Sequence, residues 1–165
     1  MSVRIDFVEN AKGWRRSLPA RTLARQAIGA AAEESGIVLR RGAEVCVHLV
    51  NDAEIRVLNA KWRGKDAPTN VLAFPAAAPT RVEDARLLGD VLIAFETVSR
   101  EAEQEHKPLA DHFRHLVVHG FLHLLGFDHL DDEQAETMEA LETRALAKLG
   151  VADPHASREL AGADS

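Results

Sequence analysis

Three histidines and two glycines within one short segment, His119-Gly120-Phe121-Leu122-His123-Leu124-Leu125-Gly126-Phe127-Asp128-His129, are the residues of this chain best suited to chemistry. On an α-helix, residues four apart lie about 40° from each other around the axis, so His119 and His123 project side by side from one face. A helix that ran on would turn His129 about 240° away from His123. The third imidazole therefore joins the pair only if the helix stops. Gly126 is placed to stop it, because glycine takes the left-handed cap conformation without steric cost. Three neutral imidazoles with a fourth position left to water form the ligand set of catalytic Zn²⁺, whose water ionises near neutral pH. Histidines can also form the wetter stripe of a buried helix, but spacing, helix break and ligand type together favour a metal. His115, one turn before His119, is either a support behind a ligand ring or polar surface, and Asp128 either holds a ligand imidazole or caps a turn.

The spacing is that of the metzincin proteases, His-Glu-x-x-His-x-x-Gly-x-x-His, with Gly120 where their glutamate stands. That glutamate is the general base of peptide hydrolysis, so this segment keeps the ligands and lacks the proton acceptor. A phosphodiester suits such a site better than an amide.

A second group, Trp62-Arg63-Gly64-Lys65-Asp66-Ala67-Pro68-Thr69-Asn70, offers two cations, a hydroxyl and an amide around a glycine. Arg63, Lys65, Thr69 and Asn70 are suitable for gripping phosphate, although the same residues make an ordinary turn. Trp62 either stacks on a base or packs. Asp90 stands in an apolar run, where a carboxylate must find a partner, either the loop or an imidazole.

The elements that must position these groups follow from periodicity. Alternation at Val3, Ile5 and Phe7 predicts a strand, and further strands are expected over 44–50, 70–74 and 87–95. Helices are expected over 18–35, from Asn51 to Ala60 behind a capping box, and over 96–105, 109–125 and 132–149. Residues 76–86 read as a surface loop. In the last helix Met138, Leu141, Ala145 and Leu149 share one face, while Glu133, Glu136, Glu139 and Glu142 read as solvated surface. The order predicts an α+β fold, a small mixed sheet of about four strands packed by about five helices, with the metal site at the end of a central buried helix.

A length of 165 residues suits a single domain, here 1–150, with 151–165 read as a flexible C-terminal tail. No apolar run is long enough to span a membrane and the start carries no signal-like stretch, which predicts a cytoplasmic protein with no membrane partner. Cys46, the single cysteine, is expected to be a small buried side chain without chemistry. The net charge of −6 is unevenly placed: residues 1–65 carry 12 Lys and Arg against 7 Asp and Glu, the remainder 8 against 19. A basic face can therefore exist on an acidic protein, with Arg15, Arg16, Arg21 and Arg25 as candidates for contact with a phosphate backbone.

Taken together, Arg63-Gly64-Lys65-Asp66-Ala67-Pro68-Thr69-Asn70-Val71-Leu72, Gly89-Asp90, and His115-Leu116 through His119-Gly120 to Gly126-Phe127-Asp128-His129 resemble the YbeY family of bacterial rRNA maturation factors. The resemblance covers most of residues 1–150 and includes the acidic helix after His129. It departs at Ala73, where the family usually has Ser, and at Phe127, where Tyr is common. It implies a metal-dependent, single-strand-specific endoribonuclease acting in 3′-end maturation of small-subunit rRNA and in ribosome quality control. By the same resemblance His119, His123 and His129 would hold one Zn²⁺ or another divalent transition metal, and Arg63 would be the functionally important arginine beside it. By their own chemistry, and not by the resemblance, Lys65, Thr69 and Asn70 would touch substrate, and Asp90, His115 and Asp128 would support the ligands. The implied partners are single-stranded RNA, the small ribosomal subunit and its assembly proteins, with no DNA. Two rivals remain: a non-catalytic assembly factor with a structural metal, and a metal-dependent peptide or amide hydrolase.

Overall fold

A computed structural model describes residues 3–9 and 11–155, apart from the side chains of Lys12, Arg15 and Arg16. Among the described residues a four-stranded sheet is formed by β1 (Arg4–Glu9), β2 (Glu44–Val50), β3 (Val71–Pro75) and β4 (Leu87–Ala94), in the order β1-β2-β4-β3. The first three in that order are parallel, and β3 closes the edge antiparallel to β4. Six α-helices accompany it: α1 (Lys12–Ser17), α2 (Ala20–Ser35), α3 (Asp52–Arg63), α4 (Phe95–Gln104), α5 (Leu109–Leu124) and α6 (Asp132–Lys148). The mixed sheet and its helices agree with the α+β fold expected from periodicity.

Helix α5 is the structural centre. It packs on α2, α6, β3 and β4, and Phe113, Val117, Phe121 and Leu122 are fully buried on it. It can lie this close to the sheet because of Gly120: a Cβ added there would stand 2.7 Å from Val91 Cγ1 and 3.3 Å from Val71 Cγ2. A glutamate at this position could not be accommodated without pushing helix and sheet apart, which is the packing reason for the missing protease base. Gly89 makes the matching approach from β4, with φ +136° and an added Cβ 2.9 Å from Leu124 Cδ2.

Alternation along β4 sends Val91 and Gly89 toward α5, so Asp90 points to the opposite face. That face carries its own small apolar group, Val50, Ile55, Leu72, Leu92 and Ala94, covered by α3 at one end. Cys46 also points there and is half-buried rather than buried, because it faces away from the helical core that encloses Val45 and Val47.

Three local features differ from expectation. Helix α1 was not anticipated; it exists to bury Trp14, whose ring contacts Phe95 and Phe113 and whose Nε1 donates to the Val50 carbonyl at 3.0 Å. Residues 79–84, expected as surface loop, form a 3₁₀ turn that buries Val82. The chain also stays packed beyond Gly150: Val151 is buried and its N–H donates to Leu146 at 3.0 Å. Residues 156–165 of the expected tail lie outside the described residues.

Candidate metal centre

Helix α5 ends as its glycine requires. The Leu125 N–H donates to Phe121, Gly126 adopts φ +100° and donates to His123, and the Phe127 N–H reaches back to Leu122 at 3.1 Å. This reversal carries His129 back over the last turn. Ring centroids then lie 4.6 Å apart for His119 and His123, 5.1 Å for His123 and His129, and 5.8 Å for His119 and His129. One nitrogen from each imidazole falls within a cluster no wider than 4.8 Å, which brings together the three ligands expected from the sequence.

Behind them stands a residue that the sequence reading missed. Glu142 of α6 is only 2% exposed, and its two oxygens accept from three imidazoles: His119 Nδ1 at 2.9 Å, His115 Nε2 at 2.6 Å and His155 Nε2 at 3.2 Å. Burial pushes its carboxyl up, but these bonds more than offset that and hold it well below the usual carboxylate range. An ionised carboxylate can only accept, so His119 must carry its proton on Nδ1 and present a bare Nε2 to the cluster. That Nε2 lies 3.2 Å from His123 Nε2, a distance suited to a shared proton or to two lone pairs turned on one cation. Burial above all, with the neighbouring His119 acting in the same direction, depresses His123 to about 4, so its imidazole is neutral and available as a ligand at physiological pH. The donor set, the enforced tautomer and the neutral partner all fit a divalent transition metal.

Of the three expected supporting residues, His115 and Asp128 stand beside the cluster and Asp90 does not. His115 bonds Glu142 and stands edge-on to the His119 ring, 6.4 Å between centroids; burial depresses its pKa and its inner Nδ1 has no partner among the described residues, as befits a neutral ring. Asp128 Oδ1 lies 3.9 Å from His123 Nδ1 and 3.7 Å from His129 Nδ1, and also accepts the His129 amide at 2.8 Å, so it holds the turn while facing two ligands. Asp90 does not join this group. It is on the far face of the sheet, where its Oδ1 pairs with His48 Nε2 at 2.9 Å.

Two clefts flank the imidazoles. One, of about 590 Å³, runs between Arg63, Asn70, Ala73 and the turn at 126–130, with His119, His123 and His129 in its wall. The other, of about 450 Å³, passes Asn70, Leu116, Met138 and His155. Arg63 ends α3, where Gly64 takes φ +69° and turns the chain into the loop. Arg56 clamps that loop through both oxygens of Asp66 at 2.8 and 3.3 Å, and Asn59 donates to the Ala67 carbonyl. Asn70 is itself held: its Nδ2 donates to Glu101, which also pairs with His112 at 2.9 Å. Lys65 is exposed and Thr69 half-buried, and neither lines a cleft. Trp62 is largely exposed and its ring centroid lies 6.3 Å from that of Phe74. Arg21 pairs with Glu9 at 3.2 Å and, with Arg25, covers the Phe7 ring; the side chains of Arg15 and Arg16 lie outside the described residues.

These shifts fix how the metal-free protein responds to acid. His123 titrates near 4 when folded and near 6.5 as an unperturbed side chain, so between those values the unfolded chain binds a proton that the folded chain refuses. Stability is then fully present above about 6.5 and is lost as pH falls toward about 4. The size is at most about 3 kcal/mol. His115 acts in the same sense, and the depressed Glu142 and Glu101 add to it at lower pH, whereas His155, raised by its bond to Glu142, opposes it. Thermal melts in chelator should show the midpoint falling from neutral pH to about 4, and a His123→Ala chain should lose part of that slope. A flat profile would contradict the assignment.

Comparison with known proteins adds an independent line. The sequence profile of the family described as Endoribonuclease YbeY matches residues 8–150. An Endoribonuclease YbeY of Bradyrhizobium sp. is 53% identical over 150 residues, covering 88% of each chain. That of Azorhizobium caulinodans is 49% identical over 154 residues, covering 93% of this chain and 97% of the relative. Among solved structures, a Thermotoga maritima protein determined in solution aligns with a TM-score of 0.56 at 25% identity, covering 88% of this chain and 91% of the other.

Proposed function

Because the chain belongs to the YbeY endoribonuclease family, and so to enzymes of rRNA processing, we propose that it is a metal-dependent endoribonuclease that cuts single-stranded RNA, acting at the 3′ end of small-subunit rRNA and in ribosome quality control. The observation that carries the metal-dependent reading is the convergence of His119, His123 and His129 in the lining of a cleft that Arg63 also lines. When bound there, Zn²⁺ or a related divalent ion supplies Lewis acidity for phosphodiester chemistry. The residues of the chain do the rest. Glu142 fixes the tautomer of His119 and Asp128 holds the turn that carries His129. Arg63 presents a planar fork to the scissile phosphate and stabilises charge that develops on its oxygens. Asn70, anchored by Glu101, fixes the shape of the cleft where Arg63 and the imidazoles meet. Lys65, exposed, and Thr69, half-buried, stand on the adjoining loop, where they would contact flanking backbone rather than the reacting phosphate. The implied partners are rRNA and the small ribosomal subunit with its assembly proteins, met in the cytoplasm. The domain is residues 1–150, with Val151 and His155 of the segment that follows packed onto it.

The test is cleavage of single-stranded against duplex RNA by the purified protein, with and without chelator, reading the product end groups. Cutting of the single strand that chelator abolishes is the expected result. Cutting that survives chelation equally would remove the metal from the mechanism, and chelator-insensitive binding to the small subunit without cutting would favour an assembly factor. In the same assay Arg63→Ala should lower the cleavage rate by roughly 10²- to 10³-fold while metal content is unchanged. Equal rates would exclude Arg63 from the reaction.

A further inference from the structure

On the sheet face turned away from α5, three side chains with metal-binding donors meet in the middle of the two central strands. Cys46 and Asp90 are directly paired neighbours on β2 and β4, and His48, two residues along β2, shares their face. The thiol sulfur, one imidazole nitrogen and one carboxylate oxygen all lie within 4.8 Å of one another. His48 Nε2 and Asp90 Oδ1 already meet at 2.9 Å.

We propose that Cys46, His48 and Asp90 form a second, separate binding site for a borderline-soft divalent cation of the Zn²⁺ class. The edges of a tetrahedral zinc site are about 3.3–3.8 Å, so small side-chain rotations bring this group to ligand spacing. The donor chemistry selects the ion: thiolate and imidazole exclude Mg²⁺ and Ca²⁺, and one carboxylate completes a mixed S, N, O set. Access is open, since all three residues are half-buried rather than enclosed. The local charge also favours a cation, because Asp6 is in register beside Cys46 on β1, so the thiol is flanked on both sides by carboxylates. Burial, reinforced by Asp90 and Asp6, pushes the Cys46 thiol up, so the free residue is a protonated thiol and not a nucleophile. Binding breaks its S–H bond and releases that proton to solvent, the His48 proton that Asp90 accepts moves from Nε2 to Nδ1 so that Nε2 is freed, and sulfur, nitrogen and oxygen each form a bond to the metal. No oxidation state changes. The sheet lies between this group and the imidazoles of α5, so the two sites load independently.

Cobalt titration of the intact protein distinguishes them, because the three-histidine centre contains no sulfur and Cys46 is the single cysteine. The expected result is a thiolate-to-Co²⁺ charge-transfer band in the near ultraviolet at one equivalent beyond the histidine centre. That band should vanish in Cys46→Ser, weaken at least about tenfold in apparent affinity in Asp90→Asn and in His48→Asn, and persist in His123→Ala. Thermal melts establish that each variant is folded. Absence of the band in wild type, or a band whose affinity is untouched by both Asp90→Asn and His48→Asn, would overturn the proposal, the latter by reducing it to a lone thiol.

Discussion

Replacing His123 by alanine is expected to remove both tight metal binding and RNA cleavage while leaving the metal-free fold intact. The imidazole contributes one of three donors to a cluster within 4.8 Å, and no other described residue can replace it from the last turn of α5. Loss of a supporting group behind a ligand costs roughly 10- to 100-fold in affinity, and loss of the ligand itself should exceed that range. The fold should tolerate the change because His123 sits at a cleft wall and not among the fully buried side chains of α5. Competition titration against a chromophoric chelator, with the cleavage assay run on the same samples, checks both halves. A variant that binds no metal yet cuts single-stranded RNA at the wild-type rate would separate the centre from the activity.

The second large effect is expected at Glu142, which touches no ion. In Glu142→Gln one oxygen remains to accept and the other becomes an amide N–H₂, so a carboxylate serving three imidazoles is replaced by a group that faces at least one of them donor to donor. The buried mismatch should lower stability by about 1–3 kcal/mol. His119 also loses the acceptor that keeps its proton on Nδ1, so metal affinity should fall by roughly 10- to 100-fold. The two readouts discriminate between roles. If melting drops while metal affinity per folded molecule stays at the wild-type value, Glu142 is a packing element and does not orient His119.

The sequence made some of this readable and concealed the rest for identifiable reasons. His119, His123, Gly126 and His129 were legible because helix geometry and a glycine stop convert spacing directly into convergence. Glu142 was misassigned to the solvated face of α6 because its type outweighed its position. Its angle around the helix is only about 20° from that of Leu149, inside the apolar stripe that includes Met138 and Ala145. A charged residue within a buried stripe was the available signal. Helix α1 was hidden because one buried Trp14 among Lys12, Gly13, Arg15 and Arg16 sets up no period. The strand count and the helical boundaries were readable from alternation and caps. That β4 inserts between β2 and β3, which is what sets Asp90 beside Cys46 and away from the imidazoles, depends on long-range pairing and leaves no local trace.

His119 and His123 are fixed on a packed helix, whereas His129 rides on the turn beyond Gly126 and is 57% exposed at its side chain. The three ligands are therefore kinetically unequal. Exchange of a bound ion would start with His129 swinging away, leaving two-point attachment that an outside competitor can intercept before the ring returns. Pro79 lies against that turn, close enough that a Cβ on Gly126 would stand 2.9 Å from its own Cβ, so the 3₁₀ segment acts as a brake on the swing. Release under a chelator should accordingly outpace global unfolding, and the residence time of the ion is set by a handful of surface residues and not by the core.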